Sequence, residues 1–122
     1  MPLELANASD RAMVYATANA LNDDLLAVED VARFTSALVQ LYGTFEGTVS
    51  FQGSLEFTPT NWISLRAVNA STGVAASDVT VAGIYHVPLA CKWLRIRVTA
   101  FVSGPVLGAT MFRTNDVPVI VG

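Results

Sequence analysis

The side chains best suited to catalysis are scarce in this sequence of 122 residues, which has one histidine, His86, and one cysteine, Cys91. A Ser-His-Asp hydrolase would need His86 as its base, and no Gly-x-Ser-x-Gly motif is present to expose a serine nucleophile. One cysteine can form neither an internal disulfide nor a cysteine-based metal cluster, and its place beside a predicted strand favours a buried, unreactive thiol. We therefore expect that the protein is not an enzyme.

Carboxylates are concentrated near the start of the chain. Oxygen ligands in such a group can bind a hard cation such as Ca²⁺, but their order matches no ligand loop, and a solvated acidic turn is the favoured interpretation. The group consists of Asp23, Asp24, Glu29 and Asp30. The glycines are scattered at turns and form no phosphate-binding loop. We expect no metal and no cofactor.

Basic and aromatic residues share one face of a predicted strand over residues 93–102. Trp93, Arg95 and Arg97 occupy alternate positions there, and Leu94, Ile96, Val98 and Ala100 fill the others. This period of two is typical of a half-buried strand, with the basic residues pointing outward. We predict that Trp93, Arg95 and Arg97 take part in binding a partner protein. The other tryptophan, Trp62, is predicted to belong to the core.

The composition is unusually apolar for a small domain. Charged residues make up 14% of the chain and hydrophobic residues 52%, with a mean hydropathy of +0.48, whereas soluble domains have about 25% charged residues. No run approaches the roughly 18 apolar residues that a membrane-spanning helix needs. We therefore expect no membrane association, and the surplus apolar surface favours burial against other subunits.

Charge also excludes some partners. The net charge is −3, and no basic cluster is larger than Lys92, Arg95 and Arg97, so nucleic-acid binding is disfavoured. Residues 1–30 carry a net charge of −5 and residues 31–122 a net charge of +2. The first residues lack the basic and apolar regions of a secretory signal, so we expect synthesis in the cytoplasm.

The clearest hairpin signal lies at residues 44–65. Val49, Phe51, Leu55 and Phe57 fall on alternate positions and predict one dry face of a strand over residues 47–57. Residues 59–61 make a turn, after which a strand over residues 62–68 is predicted to fold back on the first. Gly53 is a candidate bulge in the first of these strands.

Further strands are predicted at residues 28–31, 34–42, 79–81, 84–89 and 106–113, the last forming a hairpin with residues 93–102. Seven or eight strands separated by turns indicate an all-β fold, an antiparallel β-sandwich of jelly-roll type. We divide the chain into an N-terminal arm or edge strand (1–30), a sandwich body (31–114) and a C-terminal arm (115–122).

The two arms differ in how clearly they can be interpreted. Residues 9–21 fit either a helix or a strand, and an extended arm or edge strand is favoured. The C-terminal arm is an apolar segment that would promote aggregation if it stayed exposed to solvent. We predict that it docks on this domain or on a neighbour through Val117, Val119, Ile120 and Val121.

From residue 43 onward the chain resembles a β-sandwich module of virion proteins in tailed bacteriophages. The resemblance lies in the order and spacing of GTVSFQGS at 47–54, NWISL at 61–65, GIY at 83–85 and LRIRVTAFVSG at 94–104. It covers a little over half of the chain and excludes residues 1–33. Residues 57–60 replace the module's usual Asp-Gly turn, so no ligand preference of that turn is carried over.

The resemblance implies a structural role. The module occurs in head decoration (cement) proteins, head fibres and tail or baseplate proteins, and a copy flanked only by short arms is most similar to a decoration protein. Such proteins commonly form homotrimers on the outer capsid surface of the virion, where they clamp neighbouring major capsid subunits. The alternative is a head-fibre or tail module that recognises a receptor or glycan, which would require exposed aromatic rings in a cleft.

Overall fold

The computed structural model describes residues 13–31 and 34–113, and strands supply the regular structure of this part of the chain. In chain order the strands are β1 (Met13–Ala18), β2 (Asp24–Glu29), β3 (Ser36–Tyr42), β4 (Glu46–Ser54), β5 (Ile63–Ser64), β6 (Ala67–Asn69), β7 (Ala75–Ala76), β8 (Asp78–Val79), β9 (Gly83–Pro88), β10 (Trp93–Ser103) and β11 (Val106–Arg113).

The strands form two antiparallel sheets that pack face to face. One sheet has six strands in the order β1-β11-β3-β9-β6-β7, and the other has five, with β2-β10-β4-β5 in a row and β8 paired to β4. Strands β1 to β4 alternate between the two sheets, as do β9 to β11, which is the jelly-roll arrangement. The predicted fold class is therefore confirmed.

The core lies between the sheets and is built from the inward residues of each strand. In β10, Leu94, Ile96 and Val98 are fully buried, and in β4 so are Val49 and Phe51. The period-two pattern had assigned all five to the dry face. The Phe51 ring packs across the core against Tyr85 of the opposite sheet, with ring centroids 5.8 Å apart.

Of the two predicted hairpins, the one over residues 47–68 is confirmed for two residues of its second strand, and the one over residues 93–113 is wrong. Only Ile63 and Ser64 return along β4, and β6 belongs to the other sheet. Likewise β10 and β11 do not pair with each other, because β10 lies between β2 and β4 while β11 lies between β1 and β3. A strand that buries one apolar face can meet its successor across the core as well as alongside it, so the chain crosses between sheets at these turns.

Gly53 is not a bulge, contrary to the prediction, since it pairs in regular register with Leu94 and Ile63. A Cβ atom at this position would lie 2.9 Å from the Cys91 sulfur and 3.0 Å from a methyl group of Leu65. The glycine therefore serves close packing. The register instead shifts within β10, and next to the shift after Ile96 two consecutive leucines of β2, Leu25 and Leu26, are both buried.

The N-terminal part of the described chain supplies an edge strand to each sheet. β1 pairs with β11 at one edge of the six-stranded sheet, and β2 pairs with β10 at one edge of the five-stranded sheet. Of the two alternatives left open for residues 9–21, the structure therefore has a strand over Met13–Ala18. The proposed boundaries at residues 30 and 114 stay a prediction.

Candidate interaction surfaces

The outer face of the six-stranded sheet is predominantly apolar, and we call it the apolar face. The strand registers place most of its outward residues in three adjacent rows. These rows are Thr17, Leu107 and Tyr42; Tyr15, Ala109, Gln40 and Ile84; and Met13, Met111, Leu38, His86 and Val68. These three rows hold no aspartate, glutamate, lysine or arginine. A fourth row at the end of the same strands holds Ser36, Pro88 and one charged side chain, the exposed Arg113.

Several side chains of the apolar face are open to solvent. Tyr15 is 68% exposed and Ile84 46%, and Met13 and Tyr42 are exposed as well. A sheet in a sandwich normally turns polar residues outward. A broad apolar sheet face of this kind is a candidate surface for binding another protein.

The outer face of the five-stranded sheet has the opposite character, and we call it the charged face. Its rows are Glu29, Trp93 and Ser54; Ala27, Arg95, Gln52 and Ser64; and Asp24, Arg97, Ser50 and Asp78. The outward direction predicted for Arg95 and Arg97 is confirmed, because their strand neighbours Leu94, Ile96 and Val98 are buried.

Several charged side chains on and beside this face form hydrogen bonds or ion pairs with their neighbours. Arg97 forms two hydrogen bonds to the Asp24 carboxylate, of 2.7 and 3.1 Å, which raise the pKa of Arg97. The Ser50 hydroxyl donates to Asp78 at 2.6 Å. Just before the start of β10, Lys92 bonds to Glu29 and lies 3.3 Å from Asp30, and the bond to Glu29 is the main reason why its pKa is raised.

Trp62 does not have its predicted place in the core, and Trp93 lies at an outward position of β10. Trp62 lies beside the charged face instead of in the core, half-buried, with the Arg95 guanidinium 4.0 Å above its ring. Arg95 also donates to Gln52 at 2.8 Å, which holds the guanidinium in place. One ring face of Trp62 is thus occupied by a cation–π contact. Trp93 is also half-buried, and its indole nitrogen has no hydrogen-bond partner among the described residues.

One end of the sandwich carries a cavity of about 350 Å³ under the loop between β4 and β5. Its walls are mainly apolar and include Leu55, Ile63, Leu65 and Cys91. Burial raises the pKa of the Cys91 thiol, in keeping with the buried thiol that the sequence indicated. The cavity is therefore an apolar recess beside an enclosed thiol.

The loop above this cavity is organised by Glu56. Its carboxylate accepts hydrogen bonds from the backbone N–H groups of Thr60 and Asn61, both at 2.7 Å, and from the Asn61 side chain at 2.9 Å. These bonds lower the pKa of Glu56 to about 2, the backbone bond from Asn61 contributing most. β4 ends at Ser54, so Leu55 and Phe57, which were predicted to continue the dry face, are 75% and 83% exposed.

The candidate catalytic residues are not brought together. His86 is half-buried within the apolar face, opposite Leu38 and Val68 in the strand pairing. Of the acidic residues near the start, Asp24, Glu29 and Asp30 form ion pairs, and Asp23 accepts a hydrogen bond from the Asn19 backbone.

Within residues 13–31 and 34–113, no group of three or more His, Cys, Asp or Glu side chains could hold a metal ion. The same residues contain no helix long and apolar enough to cross a membrane.

Of the predicted partner-binding residues, Trp93, Arg95 and Arg97 lie together on the charged face. Val117, Val119, Ile120 and Val121 lie outside the described residues.

Sequence reasoning missed the apolar face, although β3 carried the signal. Leu38 and Tyr42 sit at its outward positions, and the run had been interpreted only as a central strand.

The sandwich has a solved counterpart. It is similar to the crystal structure of the SPBc2 prophage-derived protein YomS, with a TM-score of 0.63 over 83% of this chain and 95% of that chain. The two sequences are 11% identical, so the likeness is one of fold. No protein-family model and no curated protein matches the sequence.

Proposed function

We propose that this protein is a structural virion protein of a bacteriophage. In this proposal it is a decoration (cement) protein that self-associates and clamps neighbouring major capsid subunits on the outer surface of the head. The partners are then other copies of the chain and the major capsid protein. The protein has no enzymatic activity, cofactor, nucleic-acid ligand or membrane contact in this role.

The apolar face is the observation that carries this proposal. A protein that works alone in water has little use for a broad sheet face that is rich in large apolar side chains and whose three main rows hold no carboxylate, lysine or arginine. Permanent assemblies bury faces of this composition, which resemble a domain core cut in half. The phage setting is supported by the module resemblance in the sequence and by the shared fold with a prophage-derived protein.

The geometry gives less support to a glycan-binding fibre or tail module. Stacking on a sugar needs an open ring face in a cleft. The Trp62 ring has Arg95 above it, and the most exposed ring on the apolar face, Tyr15, lies on an edge strand of the sheet. The apolar face therefore supports the decoration role better than the aromatic rings support glycan binding.

Immunogold electron microscopy tests the proposal. Particles are purified from the host that carries the gene and probed with an antibody against the chain. We expect gold on the outer surface of the heads, and none on particles made after deletion of the gene. Gold confined to tails or fibres, or wild-type particles that carry no gold, would overturn the proposal.

A further inference from the structure

The size of the apolar face can be compared with that of a protein–protein interface. Its four long strands are β1, β11, β3 and β9, which are neighbours in the sheet. With strands about 4.8 Å apart and a rise of about 3.3 Å per residue, six residues of four strands project over roughly 400 Å². Accessible area exceeds projected area because large side chains stand out from the sheet, and β6, β7 and the rim add more. The projected area alone is about half of the roughly 800 Å² that each partner buries in a standard interface.

The charge pattern indicates which partner fits. Two copies of the apolar face can meet over its three rows without bringing like charges together and without removing an ion pair from water, because these rows hold no Asp, Glu, Lys or Arg. Arg113 lies in the row at the end of the strands, where it can stay in water at the rim of the contact. Polar groups are few, and Thr17, Gln40 and His86 can turn toward one another or toward water at the rim. Such a surface is self-complementary, which is the requirement for contact between identical subunits.

We infer that the apolar face packs against the apolar face of a second copy of this chain. The inference rests on the proposed function and deepens it, since it assigns the contact between copies to one sheet and leaves the charged face outside that contact. β1 belongs to this contact as the edge strand that carries the exposed side chains of Met13 and Tyr15.

Substitutions to lysine at exposed positions test the inference without disturbing the core. Ile84→Lys and Tyr15→Lys each place a charge on the apolar face, at side chains that are exposed in the single chain. Val102→Lys is the matched control, because Val102 is 70% exposed on β10 of the other sheet. Ile84→Val keeps the apolar character of the face.

Sedimentation equilibrium of the full chain measures the association. We expect the wild type, Val102→Lys and Ile84→Val to have the mass of two chains, because a contact between the same face of both copies joins two chains. Ile84→Lys and Tyr15→Lys should weaken association by about tenfold or more, as a charge buried at the centre of an interface does. Thermal unfolding of each variant checks that it is folded. If Ile84→Lys is unfolded, Tyr15→Lys alone makes the test.

Two results would overturn the inference: a wild type that is monomeric throughout the micromolar range, or face variants that keep the wild-type mass. The labelling of heads in the microscopy experiment does not depend on either of these sedimentation results. A monomer that still decorates heads would remove this inference and leave the proposed function. An oligomer that is absent from heads would remove the proposed function and leave the face as the contact between copies.

Discussion

Glu56 shows how one carboxylate shapes a loop. It accepts hydrogen bonds from residues four and five positions further along the chain, which closes the loop between β4 and β5 around it. Its sequence neighbours Leu55 and Phe57 are consequently turned outward at the end of the sandwich. The period-two pattern that had assigned both residues to the core takes no account of a side chain that ends a strand by binding backbone N–H groups.

Replacing Glu56 should make stability less sensitive to acid. Its pKa falls from the ordinary 4.5 to about 2 on folding, so the ionised form stabilises the fold above pH 4.5, and this contribution is lost as the pH falls from 4.5 towards 2. Denaturant unfolding should show Glu56→Gln to be less stable than the wild type at pH 7. The difference should narrow steadily below pH 4.5.

Glu46→Gln is the control for this comparison, because it removes one carboxylate at the exposed start of β4. A constant gap between wild type and Glu56→Gln from pH 7 to pH 2 would show that the carboxylate does not titrate as the loop geometry requires.

The paired strands β4 and β10 show what sequence periodicity can predict and what it cannot. Alternation correctly separated inward Val49, Phe51 and Leu94 from outward Arg95 and Arg97, because one buried face and one wet face impose that period. It could not show which strand lies next to which. Turn residues are similar whether a chain returns along its own sheet or crosses to the other, so β10 and β11 were paired wrongly.

At Gly47, strands β4 and β10 pack so closely that there is no room for a side chain. A Cβ atom there would overlap the carbonyl oxygen of Ala100, a backbone atom that cannot swing away. The register of β10 against β4 shifts around Ala100 and Phe101. Gly47→Ala should therefore force the strands apart and destabilise the fold by about 1–3 kcal/mol.

Gly83→Ala is a matched control in strand β9, since a Cβ atom there would meet its neighbours at no less than 3.6 Å. We expect its free energy of unfolding to lie within about 0.5 kcal/mol of the wild type. Chemical denaturation of the three proteins makes the comparison. Equal stability of the two alanine variants would mean that β4 and β10 are free to separate at Gly47.

At the scale of the whole molecule, the two sheets present unlike faces to the outside. The surplus of apolar residues in the composition had indicated burial against other subunits, but not where that surplus would lie. Strand order decides this, because Ile84, Leu38 and Tyr15 belong to separate stretches of chain and meet only when β9, β3 and β1 share a sheet. Binding residues had instead been predicted from local signals, namely a basic strand face and an apolar segment at residues 117–121.

The contrast between the faces leads to an expectation about salt. If copies meet through the apolar face, few charges are near the contact, and the chain's net charge of −3 gives only a weak mutual repulsion. Raising the ionic strength screens that repulsion, with a Debye length of about 10 Å at 0.1 M and about 3 Å at 1 M. The association constant from sedimentation should therefore stay constant or rise modestly between these salt concentrations. Calorimetric dilution should show a negative heat-capacity change of association, the mark of apolar burial. Association that weakens steeply with salt would instead place the contact on Arg95, Arg97 and their neighbours on the charged face.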